Sequence, residues 1–254
     1  MPTPRRSAGR PPKAPGALDP ERILRAALAQ IDANGLAAFN IRELAAALGV
    51  APAAVYWHVP NRAALVSGAI GLALSEVARA LPAGPWQRRL RTLMQRFRDA
   101  LRRHPQLAPA VASELGHNGS FDAPLVEHVL AALVEAGFEG AGLVDAFNVV
   151  IAALCGFATL ELSTAPAGAD PAWPDAVRAQ LDGVDAARYP QFAAHAAALR
   201  NRAFLLRWTS GDHAPLASSF EAWIDVILRG LESRCLSRPA ASIGAGTRAG
   251  RPAR

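Results

Sequence analysis

From Asn40 to Arg62 the chain reads NIRELAAALGVAPAAVYWHVPNR. Asn40 is a helix-capping residue with Glu43 three positions on, the spacing of a capping box. The pattern predicts a helix from Ile41 to Leu48 that stops at Gly49. A second short helix begins near Pro52, where a missing N–H costs nothing, and runs to about His58. Pro60-Asn61 then breaks the chain again. Two short helices that cross through a sharp turn need three things: a small residue at the crossing, a residue that accepts positive φ, and apolar side chains to lock the angle. Ala45, Gly49 and the group Leu44, Leu48, Val50 and Val55 supply them. The expectation is a helix-turn-helix, whose second helix lays its first residues on base edges in the major groove of DNA.

The residue types on that second helix suit the task. Pro52, Ala53 and Ala54 are small enough for close backbone approach, and small apolar groups touch thymine methyls. Tyr56 and Trp57 are adjacent on a short helix, point in different directions, and cannot both be core; at least one ring is expected outside, against sugar-phosphate. Packing in a protein interface is the competing use of the pair. Arg42 is placed to reach a guanine or a phosphate. Asn61 and Arg62 open the next helix, whose free N–H groups also hold phosphate. His58 closes the second helix, and its end position favours a structural role.

Outward from this segment nearly everything reads as helix. Upstream, Asp19-Pro20-Glu21 starts a helix whose face is Ile23, Leu24, Ala27, Leu28 and Ile31, ending at Asn34-Gly35. Downstream, helices are predicted over 62–80, 86–103, 107–115, 123–136, 143–162, 189–208 and 218–233. Residues 163–188 contain Pro166, Gly168, Pro171, Pro174 and Gly183, and read as a long connection with room for one short helix. The fold class is therefore all-α. Arg5, Arg6, Arg10 and Lys13 sit in residues 1–17 without an acid, and Arg238, Arg248, Arg251 and Arg254 do the same in 236–254. The net charge of +6 thus lives in two Pro/Gly-rich tails expected to be disordered. Each suits a polyanion, and Gly9-Arg10-Pro11 and Gly250-Arg251-Pro252 have the form of a minor-groove arm; plain solvation of the tails is the alternative.

Two cysteines, Cys155 and Cys235, build no disulfide framework and point to a reducing cytoplasm. The basic start lacks an apolar segment behind it, and the most apolar run, 149–160, is shorter than a membrane span. Neither membrane nor metal nor cofactor is expected. Phosphate loops, G-x-S-x-G, H-E-x-x-H and paired cysteines are all missing from the sequence, which argues against an enzyme.

Residues 18–66 resemble the DNA-binding domain of the tetracycline-repressor (TetR/AcrR) family. The shared features are a first helix ending in Asn-Gly, then Arg-x-Leu-Ala-x-x-Leu-Gly-Val, then Tyr-Trp-His-Val and a basic residue after the next Asn. The resemblance implies that Arg42, Pro52, Ala53, Ala54, Tyr56, Trp57 and Arg62 face DNA. Pro60 departs from the pattern, so a phosphate contact there is not expected. Residues 67–235 then form a helical domain for dimerisation and effector binding, and the implied activity is repression released by a ligand. A sequence-tolerant architectural DNA-binding protein without effector is the second reading.

One recognition helix contacts few base pairs, so a homodimer on paired half-sites of double-stranded operator DNA is expected. Two helices suit its interface, through Phe147 and Ile151 and through Phe220, Trp223, Ile224, Ile227, Leu228 and Leu231, with Ser218 and Glu221 as a capping box. An effector pocket is expected among Phe97, Leu101, Val111, Phe121, Val129, Phe147, Ile151 and Phe157. The histidines that bind a magnesium–tetracycline complex in that family have no counterparts near Ala112 and Cys155. A small hydrophobic molecule is the expected ligand.

Overall fold

The computed structural model describes residues 18–116, 122–163, 170–207 and 216–236. Helix α1 (Pro20–Asn34) starts where Asp19 accepts a 2.8 Å hydrogen bond from the Arg22 amide, and it stops at Gly35. Its buried face is Ile23, Ala27, Leu28 and Ile31, the i, i+4 set that the sequence shows. Helices α2 (Ile41–Leu48) and α3 (Pro52–His58) follow, then α4 (Arg62–Leu74), capped by Asn61 through a 2.8 Å bond from the Ala64 amide. Helix α1 packs along α4. Gly68 sits at their contact, where the missing Cβ leaves room for the Leu24 side chain of α1.

The remaining elements are α5 (Trp86–Arg103), a 3-10 turn (Pro105–Leu107), α6 (Ala108–Gly116), α7 (Ala123–Glu135), α8 (Gly140–Glu161), α9 (Trp173–Asp182), α10 (Pro190–Leu199) and α11 (Ala217–Leu236). No strand occurs among the described residues. Helix α8 packs against α5, α6, α7 and α11. One continuous buried cluster extends from Ile23 in α1 to Leu231 in α11, so the N-terminal helices share a core with the rest. Each fully buried Leu, Ile or Phe in it contributes about 1.5–3 kcal/mol relative to exposure.

Several expectations are corrected by the fold. Helix α4 ends at Leu74 rather than near Ala80; turns follow, and Ala80 takes φ 44°. Arg96 of α5 donates to the carbonyls of Arg79 and Ala80, which fixes these turns in place of a further helical segment. The helix expected over 189–208 stops at Leu199, and Asn201 adopts φ 55°, the left-handed form that ends helices. Trp208 lies outside the described residues, as do residues 1–17 and 237–254 of the tails. The connection 163–188 does hold one helix, α9.

Helix α11 already includes Ser218, so the expected Ser218–Glu221 capping box does not form. Glu221 instead accepts 3.0 Å bonds from Arg91 and Gln95 of α5. At α2 only half of the capping box forms. Asn40 accepts from the Glu43 amide at 2.9 Å, while the Glu43 carboxylate turns to Gln30 of α1 at 3.0 Å. Helix α8 spans 22 residues, longer than its apolar run alone suggests, and by length and composition is sufficient to cross a membrane. Its end is Glu161, a fully buried carboxylate paired with Arg98, which is how a core helix of a folded domain ends.

Candidate nucleic-acid interface

The turn between α2 and α3 is built as a left-handed helix terminus. Gly49 takes φ 72° and ψ 30°, and the Val50 amide bonds back to the Ala45 carbonyl at 3.0 Å. No neighbour lies within 4 Å of a Cβ at Gly49, so the conformation rather than crowding requires glycine. Ala45, Leu44 and Val55 are buried in the crossing, and Leu48 and Val50 pack beside them. The apolar set chosen from the sequence thus locks the angle between the two helices.

Helix α3 exposes what the lock leaves over. Tyr56 is 48% exposed and Trp57 is 87% exposed, an unusual fate for rings that otherwise dominate cores. Pro52 and Ala53 are exposed at the helix start, Ala54 is half-buried, and His58 is exposed at its end. Arg42 is exposed at the start of α2.

Arg62 is exposed at the start of α4 and is also tied to the loop before α2. Its Nη2 donates to the Leu36 carbonyl at 2.7 Å, its Nε donates to the Phe39 carbonyl at 3.2 Å, and its guanidinium lies 5.6 Å from the Phe39 ring centre. It ties the α1–α2 loop to α4. Asn61 caps α4 with its side chain, which leaves that oxygen engaged. No signal in the sequence distinguishes a phosphate-binding arginine from one that closes a loop.

The C-terminal helices hold the other expected residues. Phe97, Leu101, Val111, Val129 and Phe157 are buried in the common core, Phe147 and Ile151 are half-buried, and Phe121 lies outside the described residues. Of the interface set, Phe220, Ile224, Leu228 and Leu231 face the subunit's own core, so they cannot meet a second copy directly. Both stripes of α11 are apolar and share one helical period, which is why sequence alone did not separate them. The outward stripe carries Trp223 and Ile227, both half-buried, and Val226, which is 66% exposed. Together with Val149, Ala152, Gly156 and Leu160 of α8 it lines an apolar groove of about 570 Å³.

Sequence reasoning also missed a buried charge cluster. Arg98 donates from Nε and Nη2 to the two oxygens of Glu161 at 2.7 and 2.6 Å, and the Leu216 amide adds a 3.1 Å bond. Burial pushes the Glu161 carboxyl up, but the bonds from Arg98 and Leu216 and the charges of Arg98 and Arg102 outweigh it and hold the group below its ordinary value. Arg207 closes the end of α8 through the Leu160 and Glu161 carbonyls and the Ser163 hydroxyl. The available clue was Arg98 and Arg102, four apart on an otherwise solvated basic face. Cys155 is different in kind: burial pushes its thiol up to about 11, which leaves it neutral and unreactive.

A tight helical pair with exposed aromatics at its tip, joined by α4 to a larger set of helices, is the arrangement of a helix-turn-helix DNA-binding protein. Residues 23–69 match the family of bacterial regulatory proteins, tetR family, and residues 79–235 match the tetracyclin repressor-like C-terminal domain. The chain belongs to the TetR family of DNA-binding transcriptional regulators. It is 31% identical over 130 residues to an HTH-type transcriptional regulator of Saccharopolyspora erythraea, covering 51% of this chain and 55% of that protein. It is 33% identical over 127 residues to the class D tetracycline repressor of Escherichia coli, covering 48% and 56% respectively. The chain therefore spans about half the length of these curated relatives. Among solved structures it resembles the TetR regulator SCO7222 of Streptomyces coelicolor, with TM-score 0.64 and 25% identity, covering 85% of this chain and 99% of that one. BioQ bound to its double-stranded DNA operator aligns with TM-score 0.52 and 26% identity, covering 66% and 98%. ActR of Streptomyces coelicolor in complex with (S)-DNPA shares the fold, with TM-score 0.65 and 22% identity, covering 86% and 99%.

Proposed function

We propose that this regulator is a homodimeric repressor that leaves its operator when a small hydrophobic molecule enters the C-terminal domain. The observation that carries the reading is the exposure of Trp57 and Tyr56 on a helix fixed by the Gly49 turn. A ring held in water at the tip of a locked helix gains by meeting a partner surface, and Pro52, Ala53 and Arg42 beside it suit a groove and its phosphates. Residues 18–66 serve as the reader and 67–235 as the sensor. Such a protein acts where the chromosome is, in the cytoplasm.

The dimer face is assigned to the outward stripes of α8 and α11. Val149, Leu160, Trp223, Val226 and Ile227 form a continuous apolar strip that two copies bury against each other as a four-helix bundle. Two reader helices then meet half-sites about 34–36 Å apart. Operator binding by BioQ and ligand binding by ActR support the two halves of the reading by likeness of fold.

Switching is assigned to the polar ties across the domain boundary. Ser67 of α4 donates to Glu114 of α6, and His104 after α5 pairs with Asp32 of α1 at 2.8 Å. A ligand that shifts α6 moves α4 through these ties and changes the spacing of the readers, at a coupling of about 1–3 kcal/mol. DNase footprinting on the DNA flanking the gene tests the reading. A short, palindromic protected site is the expected result, and uniform protection without boundaries would favour the architectural alternative. Val226→Glu should give a monomer by sedimentation and abolish the footprint.

A further inference from the structure

A cleft of about 420 Å³ opens where the turns after α4 lie against the outer face of α5. Glu76, Arg79 and Ala80 line it from the turns, and Arg96, Asp99 and Arg103 line it from the helix. Its volume is in the range of small-molecule sites. Its lining is charged, where the groove between α8 and α11 is apolar. These charges are only partly matched. Arg79 pairs with Glu76 at 2.8 Å. Arg96 gives both Nη atoms to the carbonyls of Arg79 and Ala80, so its positive charge meets no carboxylate among the described residues. The side chains of Asp99 and Arg103, one helical turn apart, have no hydrogen-bond or ion-pair partner among the described residues. Ala80, where Arg96 grips the turn, is held at φ 44°. A left-handed alanine is strained, and such strain gathers at segments that hold ligands.

We infer that this cleft binds a small hydroxylated phosphate ester, with Arg96 and Arg103 on the phosphate and Asp99 on a hydroxyl. Arg96 and Arg103 lie seven positions apart, two turns along one face of α5, and no acid answers their two charges. A phosphate monoester carries about −1.5 to −2 charges at neutral pH and three acceptor oxygens, which suits a pair of guanidinium groups. A bare oxyanion would leave the Asp99 carboxylate facing a like charge. A ligand hydroxyl removes that conflict, because an ionised carboxylate only accepts hydrogen bonds. An apolar ligand would lay its body against charged walls that it cannot pair. A bound ester would join α5 to the turns that leave α4. It is a second input, separate from the α8–α11 groove and from the hydrophobic effector proposed above.

Calorimetric titration of the DNA-free full-length protein at pH 7.5 and low salt tests it. The probes are glycerol 3-phosphate, ribose 5-phosphate and glucose 6-phosphate, each compared with its parent polyol or sugar and with inorganic phosphate. At least one ester should bind tenfold or more tightly than both of its comparators. Arg103→Gln should weaken that ester at least tenfold, and Asp99→Asn should shrink its advantage over inorganic phosphate. Both positions are exposed, so neither change disturbs the core. Arg25→Gln, which removes an arginine paired with Glu21 outside the cleft, should leave binding unchanged. Three outcomes overturn the inference: no binding by any ester, equal affinity for inorganic phosphate (an adventitious ion only), or a loss in Arg103→Gln no larger than in Arg25→Gln. Operator binding plays no part in these titrations, so the regulator reading stands or falls separately.

Discussion

The two ends of the molecule treat their costly side chains in opposite ways. The N-terminal helices leave aromatic rings in water, at Tyr56 and Trp57, while the C-terminal helices bury charges, at Arg98, Glu161 and Arg207. Folding alone favours neither choice, since rings gain by burial and ions lose by it. Both regions can hold these groups because each is braced by ordinary structure: the Gly49 turn and Val55 under α3, and the α5–α8 packing around Glu161. The contrast separates an exposed aromatic tip from a buried charge cluster. It also means that the two regions should respond differently to mutation, one in binding and the other in stability.

The largest effect is expected inside. Glu161→Leu strands the buried Arg98 guanidinium and should cost about 3–5 kcal/mol in denaturant unfolding, as for a broken buried ion pair. The double replacement Arg98→Met with Glu161→Leu should recover a good part of the loss. Acid should reveal the same group. The folded-state pKa of Glu161 is depressed, so its contribution is complete above the ordinary carboxylate range and is lost as pH falls through the lower, folded value. The stability gap between wild type and Glu161→Gln should therefore narrow steadily below about pH 4.3, the ordinary glutamate value.

Outside, Trp57→Ala should reduce operator affinity at least tenfold, about 1.4 kcal/mol, in a gel-shift titration. Its unfolding free energy should stay within about 0.5 kcal/mol of wild type, because the ring touches little of its own protein. A large loss of stability with unchanged affinity would reverse the assignment of that ring. Gly49→Ala forces an L-residue into left-handed backbone and should cost about 1–2 kcal/mol, readable in urea unfolding. The smallest effect belongs to Arg91, which joins α5 to Glu221 and Asp225 at the surface. Its bond holds the Asp225 carboxyl below the usual carboxylate range. Arg91→Ala should lower the melting temperature only slightly, and less again in high salt.

Local signals were written plainly in the chain. Asp19, Asn40 and Asn61 each cap the helix that follows, and Gly35 and Gly49 end the ones that precede, because these effects involve residues three or four apart. The reader was therefore legible almost to the residue. The C-terminal region was legible only as a set of helices. Phe220, Trp223, Ile224 and Ile227 look alike along α11, yet Phe220 and Ile224 enter the core and Trp223 and Ile227 face the groove. Which stripe turns inward depends on where α5 and α8 lie, and no local pattern states that.

What the chain determined by itself is the all-α class, the helix boundaries around the Gly49 turn, and the membership that its Leu-Gly-Val and Tyr-Trp-His-Val segments announce. These follow from hydrogen bonds and dihedral limits that act over a few residues. Tertiary structure decided that Arg62 closes the loop at Leu36 and Phe39, and that Arg98, Glu161 and Arg207 meet, 109 positions apart at the extremes, around the end of α8. The reason is physical: an arginine's partner is whichever acceptor the packed helices bring within about 3 Å, and that distance is fixed only when the whole core has formed.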